Sequence, residues 1–339
     1  MGRFLMACRA EPVDCTPVWF MRQAGRYMPE YRRLRSKHSM LEVLRSSELS
    51  AAITLQPIRA FDVDAAIIFS DILPPLAGMG LDLEYVPGRG PQLSHPLATK
   101  SMIDRLATPP ATETIGGTLE AIRLVKRELG AVPLIGFAGG PFTLASYAVE
   151  GGGSKHFART KRLMLSEPAA WDRLMTKLVT VVTDLLTEQQ KAGADVLQVF
   201  DTWAGVLSRF DYERCVAPYN RKLFKHVHAL GVPILHFSTG TSAYLDLVAH
   251  CGGDVIGADW RIPLDEARKR TGKPVMGNLD PTALLAPWRE LQPRIDFVLD
   301  RAGGSTGHVF NLGHGILPET PVDNVRRVVD YVHAQTTKK

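Results

Sequence analysis

The sequence has few cysteines and no long apolar run, and each absence excludes a class of protein. The four cysteines are Cys8, Cys15, Cys215 and Cys251. They form no CxxC pair and show no Cys/His spacing of the zinc type, so we expect a reduced, disulfide-free, cytoplasmic protein without a structural metal. No apolar stretch approaches the roughly 20 residues of a membrane-spanning helix, and residues 1–10 lack the apolar core of a secretory signal.

Blocks of like charge are also missing. The chain has 40 Lys and Arg against 35 Asp and Glu, a net charge of +5, but no run of five or six like charges. This pattern predicts no nucleic-acid-binding arm, while a mildly basic surface suits a small anionic ligand. The chain has no GxGxxG after a first strand and no GxxxxGK[ST]. The absence of both motifs argues against a doubly wound nucleotide-binding fold.

What the sequence does contain is a series of eight short apolar segments, each followed by polar residues or glycine and then by a helical pattern. The segments are residues 18–21, 63–69, 132–138, 195–200, 232–237, 255–258, 274–277 and 308–310. Apolar runs of this kind are typical of parallel strands buried on both faces. Eight strand–helix units in a row indicate an α/β fold of the (β/α)8 (TIM) barrel type.

We therefore predict a single barrel domain over residues 1–339. It carries an N-terminal extension before the first strand and a loop or hairpin excursion near residues 76–97, which are rich in glycine and proline. With 45% hydrophobic residues in 339, the chain can bury a core of this size. A doubly wound open sheet is the alternative fold.

The candidate site lies at the carboxyl ends of the predicted strands. In a (β/α)8 barrel these ends meet at one mouth, so residues that are scattered in the sequence converge there. The residues expected at this mouth are Arg22, Arg26, Asp71, Thr202 and His314. Each has a structural alternative, since an aspartate after a strand is often a helix cap and a histidine beside glycines is often a turn residue.

The segment 19–32, WFMRQAGRYMPEYR, places Arg22 and Arg26 four residues apart around a glycine. Guanidinium groups bind carboxylates or phosphates with two parallel hydrogen bonds. Gly25 allows the backbone to turn and approach a ligand closely. The segment therefore predicts an anion-binding site, although two arginines taken alone are also typical of a solvated turn.

Six motifs in order carry a family resemblance over nearly the whole chain. They are MRQAGRYMPEYR, IIFSDIL, GFAGGPFTLASYAVEGGGS, DVLQVFDTWAG, GNLDP and FNLGHGI. Together they resemble the uroporphyrinogen decarboxylase family. The resemblance implies a single-domain barrel that forms a homodimer and uses neither cofactor nor metal. It also implies the reaction, in which the four acetate side chains of uroporphyrinogen III lose carbon dioxide to give coproporphyrinogen III in haem or chlorophyll synthesis.

The resemblance also implies roles for individual residues. Asp71 would accept hydrogen bonds from the pyrrole N–H groups and stabilise positive charge developing on the ring. Arg22 and Arg26 would bind substrate carboxylates, with Arg22 favoured over Arg26 as proton donor. The further substrate contacts implied are Gln23, Ala24, Gly25, Tyr147, Thr202 and His314; the first three would act through their backbone.

Two other functions stay open. Zinc-dependent methyltransferases that act on corrinoids or thiols share this barrel, and their pattern has His-x-Cys on the strand that corresponds to residues 232–238 and another Cys near the carboxyl end. Here that strand reads HFS, with Ser238 at the thiolate position, and no cysteine follows Cys251. The second alternative is a non-catalytic tetrapyrrole-binding protein, which would not need a carboxylate aimed at the centre of the ring.

Overall fold

The computed structural model describes residues 2–86, 90–304 and 306–338. Its strands are β1 (Ala66–Ile67), β2 (Leu83–Val86), β3 (Gly90–Leu93), β4 (Leu134–Gly139), β5 (Val196–Asp201), β6 (Ile234–Ser238), β7 (Val255–Gly257), β8 (Val275–Leu279) and β9 (His308–Leu312). Seven of them form one parallel sheet in the order β1-β4-β5-β6-β7-β8-β9. Parallel strands that pair in the order of the sequence and are joined by helices are typical of a (β/α)8 barrel.

The first predicted strand is reduced to one residue pair that closes the barrel between β9 and β1. Val18 forms a single parallel bridge with Phe310, and its carbonyl accepts from the Asp64 backbone N–H at 2.8 Å. The Val18 N–H donates to the Asp64 carboxylate at 2.7 Å. Because a side chain replaces a strand carbonyl here, the ladder does not extend. The predicted barrel is confirmed, and in the described part of the chain it has seven strands and a bridge in place of eight strands.

Helices connect the strands and pack against the sheet and each other. They are α1 (Arg3–Cys8), α2 (Pro29–Arg35), α3 (Met40–Arg45), α4 (Ser47–Ala60), α5 (Pro74–Gly78), α6 (Lys100–Arg105), α7 (Ala111–Thr114), α8 (Gly116–Glu128), α9 (Pro141–Glu150), α10 (Ala158–Ser166), α11 (Pro168–Ala192), α12 (Arg209–Cys215), α13 (Ala217–His228), α14 (Leu245–Cys251), α15 (Leu264–Thr271), α16 (Trp288–Ala302) and α17 (Val322–Thr336). In the described ranges, none of them is long and apolar enough to cross a membrane.

Two long helical stretches of the chain are each divided into two helices near a proline. Helices α10 and α11 follow each other with one residue between them, and so do α12 and α13. Pro168 and Pro218 stand in the first turn of the second helix of each pair. Proline is tolerated there because its missing N–H would have no partner in the helix, while the residue before it is biased away from helical geometry.

The excursion near residues 76–97 contains a β-hairpin. Strand β2 pairs antiparallel with β3, with Tyr85 opposite Pro91. The predicted excursion also includes residues 87–89, which lie outside the described residues. The Leu93 N–H donates to the Gly151 carbonyl at 2.7 Å. This bond fastens the hairpin to the end of α9.

The interior of the barrel is filled with apolar side chains. These side chains form one buried cluster, whose members include Trp19, Ile135, Val196, Leu235, Val255, Met276 and Val309. Phe4 and Ala7 of α1 belong to the same cluster. Since Val196 and Val255 begin their strands, the N-terminal extension covers the amino-terminal end of the barrel. The opposite end, where the strands finish, holds the cavity described next.

Candidate active site

A cavity of about 420 Å³ lies at the carboxyl ends of the strands. Its apolar wall includes Met21, Ile67, Ile68, Phe69, Phe137, Phe200, Trp203 and Phe237. Phe137 and Phe200 meet edge to face with ring centroids 5.5 Å apart, and Phe200 and Phe237 do so at 5.9 Å. Side chains of low polarity keep the local dielectric low, so the few charged groups in this cavity interact strongly.

Most of the residues predicted from the sequence meet in this cavity. Six of the nine line it: Arg22, Ala24, Asp71, Tyr147, Thr202 and His314. They come from the segment after Val18 and from the ends of β1, β5 and β9, together with α9. Gln23, Gly25 and Arg26 are not part of the wall formed by the described residues.

Gln23 supports the fold beneath the cavity, and its predicted backbone contact with the substrate stays a prediction. Its side chain accepts from the Phe20 N–H at 3.1 Å and donates to the Ala65 carbonyl at 3.0 Å. Its backbone N–H donates to Phe20 and its carbonyl accepts from the Tyr27 hydroxyl. The residue is fully buried. Its hydrogen-bonding groups are therefore used within the protein, which ties the arginine segment to the start of β1.

Arg22 and Arg26 differ in position although they are only four residues apart. Arg22 adopts a left-handed backbone (φ 62°) and lies over Gly315, where a Cβ would come within 2.4 Å of its Cδ. Both arginines are exposed to solvent, but Arg26 is not part of the described cavity wall, and its carbonyl accepts from the Arg32 guanidinium at 2.8 Å. At Gly25 a Cβ would lie 2.9 Å from the Arg22 carbonyl. Gly25 therefore permits the turn that directs Arg22 into the cavity and leaves Arg26 outside it.

Asp71 is a partly buried carboxylate in the cavity wall. Burial raises its pKa, while the Leu73 N–H, the Tyr85 hydroxyl and the Arg22 guanidinium oppose that rise. Its Oδ1 accepts from the Leu73 N–H at 2.9 Å. This hydrogen bond closes a turn just before α5. Asp71 therefore forms a local turn and also places a carboxylate in the cavity wall, while its role toward a ligand stays a prediction.

His314 is a neutral imidazole beside Arg22. Burial, followed by the nearby positive charge of Arg22, lowers its pKa to about 4. Its Nδ1 accepts from the Gly315 N–H at 2.7 Å. A neutral imidazole that accepts at Nδ1 carries its proton on Nε2. His314 is therefore a neutral hydrogen-bond donor across the physiological pH range.

Tyr147 and Thr202 complete the polar part of the wall. The Tyr147 ring stacks on Trp203 with centroids 3.9 Å apart. Burial and the nearby Asp71 carboxylate raise the pKa of Tyr147 to about 12, so its hydroxyl remains protonated. The Thr202 carbonyl accepts from the Thr239 hydroxyl, which fixes the backbone at the end of β5. Both side chains offer neutral hydroxyl groups to a ligand.

Several wall residues were missed from the sequence. The aromatic side chains of β4, β5 and β6 look like ordinary core positions, and only their place near the ends of the predicted strands could have marked them. Tyr85, which influences the Asp71 carboxylate from the hairpin, carries no local signal. Its position depends on how the hairpin docks on α9.

The chain is similar to known proteins over nearly its whole length. The family model for uroporphyrinogen decarboxylase (URO-D) matches residues 1–335. The chain is 54% identical over 340 residues to uroporphyrinogen decarboxylase of Roseiflexus sp. (strain RS-1), covering 98% of each chain. It is 51% identical over 339 residues to the enzyme of that name from Streptomyces coelicolor, covering 99% of this chain and 95% of the other.

Among solved structures, a methyltransferase from Methanosarcina mazei has a TM-score of 0.80 at 21% identity, covering 98% of this chain and 97% of the other. A B12-independent methionine synthase from Shewanella sp. W3-18-1 has a TM-score of 0.56 at 13% identity, covering 86% of this chain and 89% of the other. At these identities the likeness concerns the fold alone. The match to the family model and the identity to relatives over nearly their whole length carry more: the chain belongs to the uroporphyrinogen decarboxylase family.

Proposed function

We propose that this chain removes the four acetate carboxyl groups of uroporphyrinogen III as carbon dioxide, which gives coproporphyrinogen III for tetrapyrrole synthesis. The observation that carries the proposal is a carboxylate, Asp71, in an aromatic-walled cavity beside the Arg22 guanidinium. The names of relatives about 50% identical over nearly the whole chain support the same reaction.

The chemistry of the substrate matches these groups. Uroporphyrinogen carries eight carboxylates around a reduced macrocycle whose four pyrrole N–H groups point toward the centre. An ionised aspartate only accepts hydrogen bonds, at about four lone-pair positions. Asp71 therefore suits the centre of the ring, and cationic or N–H donor groups suit its rim. The aromatic wall would contact the flat apolar faces of the pyrroles.

Decarboxylation of an acetate attached to a pyrrole needs an electron sink. Protonation of the adjacent ring carbon creates a cationic, imine-like ring. The bond to the carboxylate then breaks, its electrons flow into the ring and carbon dioxide leaves. A second proton adds to the exocyclic carbon, the first leaves the ring, and a methyl group remains. The substrate's own pyrrole thus takes the role that a cofactor has in other decarboxylases.

Different residues have different roles in this reaction. Asp71 holds the pyrrole N–H groups and stabilises the cationic ring, an electrostatic contribution that is usually large in a site closed to water. We assign proton donation to Arg22 rather than Arg26, because Arg22 lies in the cavity wall. Arg26 attracts and binds rim carboxylates from the surface. His314 donates from Nε2 to a substrate carboxylate.

The smaller contacts follow from the same wall. Tyr147 and Thr202 offer hydroxyl groups to substrate carboxylates or to the ring, and Ala24 offers its backbone.

We further propose that the chain is one barrel domain, acts as a homodimer and works in the cytoplasm. All four cysteines are free thiols, which is typical of a reducing compartment. Sedimentation of the purified protein tests the dimer.

A zinc-dependent methyltransferase receives less support. Ser238 stands where the resemblance to those enzymes expects a thiolate, and its hydroxyl lies 2.6 Å from that of Thr241. Within the described ranges, no group of three His, Cys, Asp or Glu side chains is placed to hold a metal ion. The likeness to a solved methyltransferase concerns only the fold.

The experiment is an anaerobic incubation of the purified protein with uroporphyrinogen III and a chelator. Samples are oxidised over time and the porphyrins are separated by carboxylate number. We expect products with seven, six, five and four carboxylates in succession. Folded protein that binds the substrate and forms no such series would contradict the proposal and would favour the binding or methyl-transfer alternatives.

A further inference from the structure

Tyr85, in strand β2 of the hairpin, lies close enough to Asp71 of the cavity wall to interact with its carboxylate. It stands directly opposite Pro91 in the antiparallel pair, and Pro91 belongs to the cavity wall. Residues directly opposite each other in an antiparallel pair project to the same face. The Tyr85 side chain therefore points from the hairpin toward the site.

The Tyr85 hydroxyl is buried and makes no well-aligned hydrogen bond within the described part of the chain. Buried hydroxyl groups without a partner are rare in folded proteins and call for an explanation. The carboxylate with which it interacts is that of Asp71: the Tyr85 hydroxyl lowers the pKa of Asp71, and Asp71 helps to raise that of Tyr85. A hydrogen bond to Asp71 would give this hydroxyl the partner that it lacks.

The hairpin is anchored firmly enough to hold Tyr85 in place. Besides the bond from Leu93 to Gly151, the Leu97 N–H donates to the Ala148 carbonyl at 2.7 Å. A Cβ at Gly152 would meet the Gln92 side chain at 2.7 Å, so the loop after α9 packs closely against β3. Helix α9 also carries Tyr147. Tyr85 and Tyr147 thus come from two elements fastened together beside Asp71.

We propose that Tyr85 is a positioning residue for Asp71: its hydroxyl donates to the carboxylate and orients it toward the ligand. A donor held in this place also favours the ionised carboxylate over the neutral acid. The inference rests on the proposed function and assigns the hairpin a part in it. An Asp71 that became protonated would turn one acceptor oxygen into a donor and would repel the pyrrole N–H groups. A donor aimed at the carboxylate from the protein side prevents this.

The carboxylate can satisfy both sets of partners. Leu73 N–H already binds Oδ1, and the Tyr85 hydroxyl would occupy a second acceptor position. About two of the four positions of a carboxylate then remain for the substrate. The titratable and charged groups that influence Asp71 from the surrounding elements are Arg22, Tyr85 and Tyr147. Tyr147 stays protonated over the useful pH range, so it does not change the charge near Asp71.

The test is Tyr85→Phe, which removes the hydroxyl and keeps the ring. In the proposed decarboxylation we expect the acid limb of kcat/KM against pH to move upward. Activity on that limb should fall about tenfold, the size of effect expected from a hydrogen bond to a charged group. Activity at pH values above the acid limb should change much less, because a larger share of Asp71 is then ionised in both proteins. Titration of the substrate's own carboxylates affects both proteins equally.

Tyr219→Phe is the matched control, because the Tyr219 hydroxyl donates to Asp172 at 2.8 Å and neither residue belongs to the cavity wall. Its pH profile should coincide with that of the wild type. A second measurement uses the Asp71→Asn background, in which Tyr85→Phe should cause no further loss of the residual activity.

The outcomes separate this inference from the proposed function. Wild-type protein that forms no decarboxylated product contradicts the function itself. Active wild-type protein whose pH profile coincides with that of Tyr85→Phe overturns the role of Tyr85. An equal loss at all pH values, repeated in the Asp71→Asn background, would also overturn it, since Tyr85 would then act independently of Asp71.

Discussion

Replacement of Asp71 by asparagine should lower turnover and raise stability at the same time. Asparagine keeps an oxygen that can accept from the Leu73 N–H, now 2.9 Å from Oδ1, so the turn before α5 is preserved. It removes the negative charge and turns one acceptor into a donor that faces the pyrrole N–H groups. Loss of one preorganised electrostatic group lowers kcat by about 10²–10³-fold, or about 2.7–4 kcal/mol, and we expect at least this effect.

The stability change follows from the titration of Asp71. Burial raises the folded-state pKa of Asp71 above its unfolded value. Between the two pKa values the folded state binds more protons, so this carboxylate makes the protein less stable as pH rises through that window. Asparagine lacks this effect. The free energy of unfolding of Asp71→Asn should therefore exceed that of the wild type near pH 8, and the difference should shrink toward pH 4.

The assay combines steady-state decarboxylation with urea unfolding at pH 5 and pH 8. Asp172→Asn is the control, because Asp172 accepts from a tyrosine hydroxyl outside the cavity wall; its turnover should match that of the wild type. Turnover of Asp71→Asn within a few-fold of wild type would refute the assigned role. Lower stability at pH 8 would refute the argument that burial of the charge is unfavourable.

Four further predictions concern other parts of the site. His314→Gln, which keeps a side-chain N–H donor, should retain most activity, whereas His314→Phe should raise KM about tenfold through loss of that donor. Arg22→Lys should lower kcat by about 10²-fold because the rigid fork is lost. Arg26→Ala should mainly raise KM at low salt, where steering is strongest. Phe237→Ala should destabilise the protein by about 3–5 kcal/mol, measured by urea unfolding.

Each of these predictions would be contradicted by a particular result. An ionisation near pH 6.5 that disappears in His314→Gln would contradict a histidine that stays neutral above a pKa of about 4. Equal kinetic defects in Arg22→Lys and Arg26→Ala would contradict their different positions. An Arg26→Ala defect that persists unchanged at high salt would exclude steering as its cause. Stability of Phe237→Ala close to wild type would mean that the aromatic wall repacks easily.

Much of the barrel was predictable because its strands are buried on both faces. Such strands appear in the sequence as apolar runs that end in polar residues, and Asp71, Thr202 and His314 mark three of those ends. The barrel geometry then brings these ends together. The first strand was harder, because the Asp64 carboxylate takes the Val18 N–H that a longer ladder would use. No pattern in residues 18–21 reveals that competition.

The parts that could not be predicted depend on contacts between distant elements. Arg22 and Arg26 look equivalent in the sequence, and only the left-handed backbone at Arg22 directs it into the cavity. Gln23 reads as a polar residue of the same turn, yet its side chain binds Ala65. Side chains in the strand of Tyr85 point alternately to the two faces of the hairpin, and the sequence does not mark which face is which. The docking of that hairpin on α9 decides which of the two faces meets Asp71.

The most direct test of the account is a crystal structure of the protein with coproporphyrinogen III, prepared without oxygen. We predict that the macrocycle fills the cavity and that the Asp71 carboxylate oxygens lie about 2.7–3.2 Å from pyrrole nitrogens, within hydrogen-bonding distance. Arg22 and His314 should contact propionate carboxylates at the rim. A macrocycle bound elsewhere, or bound with Asp71 facing away from the ring centre, would contradict the central role given to that carboxylate.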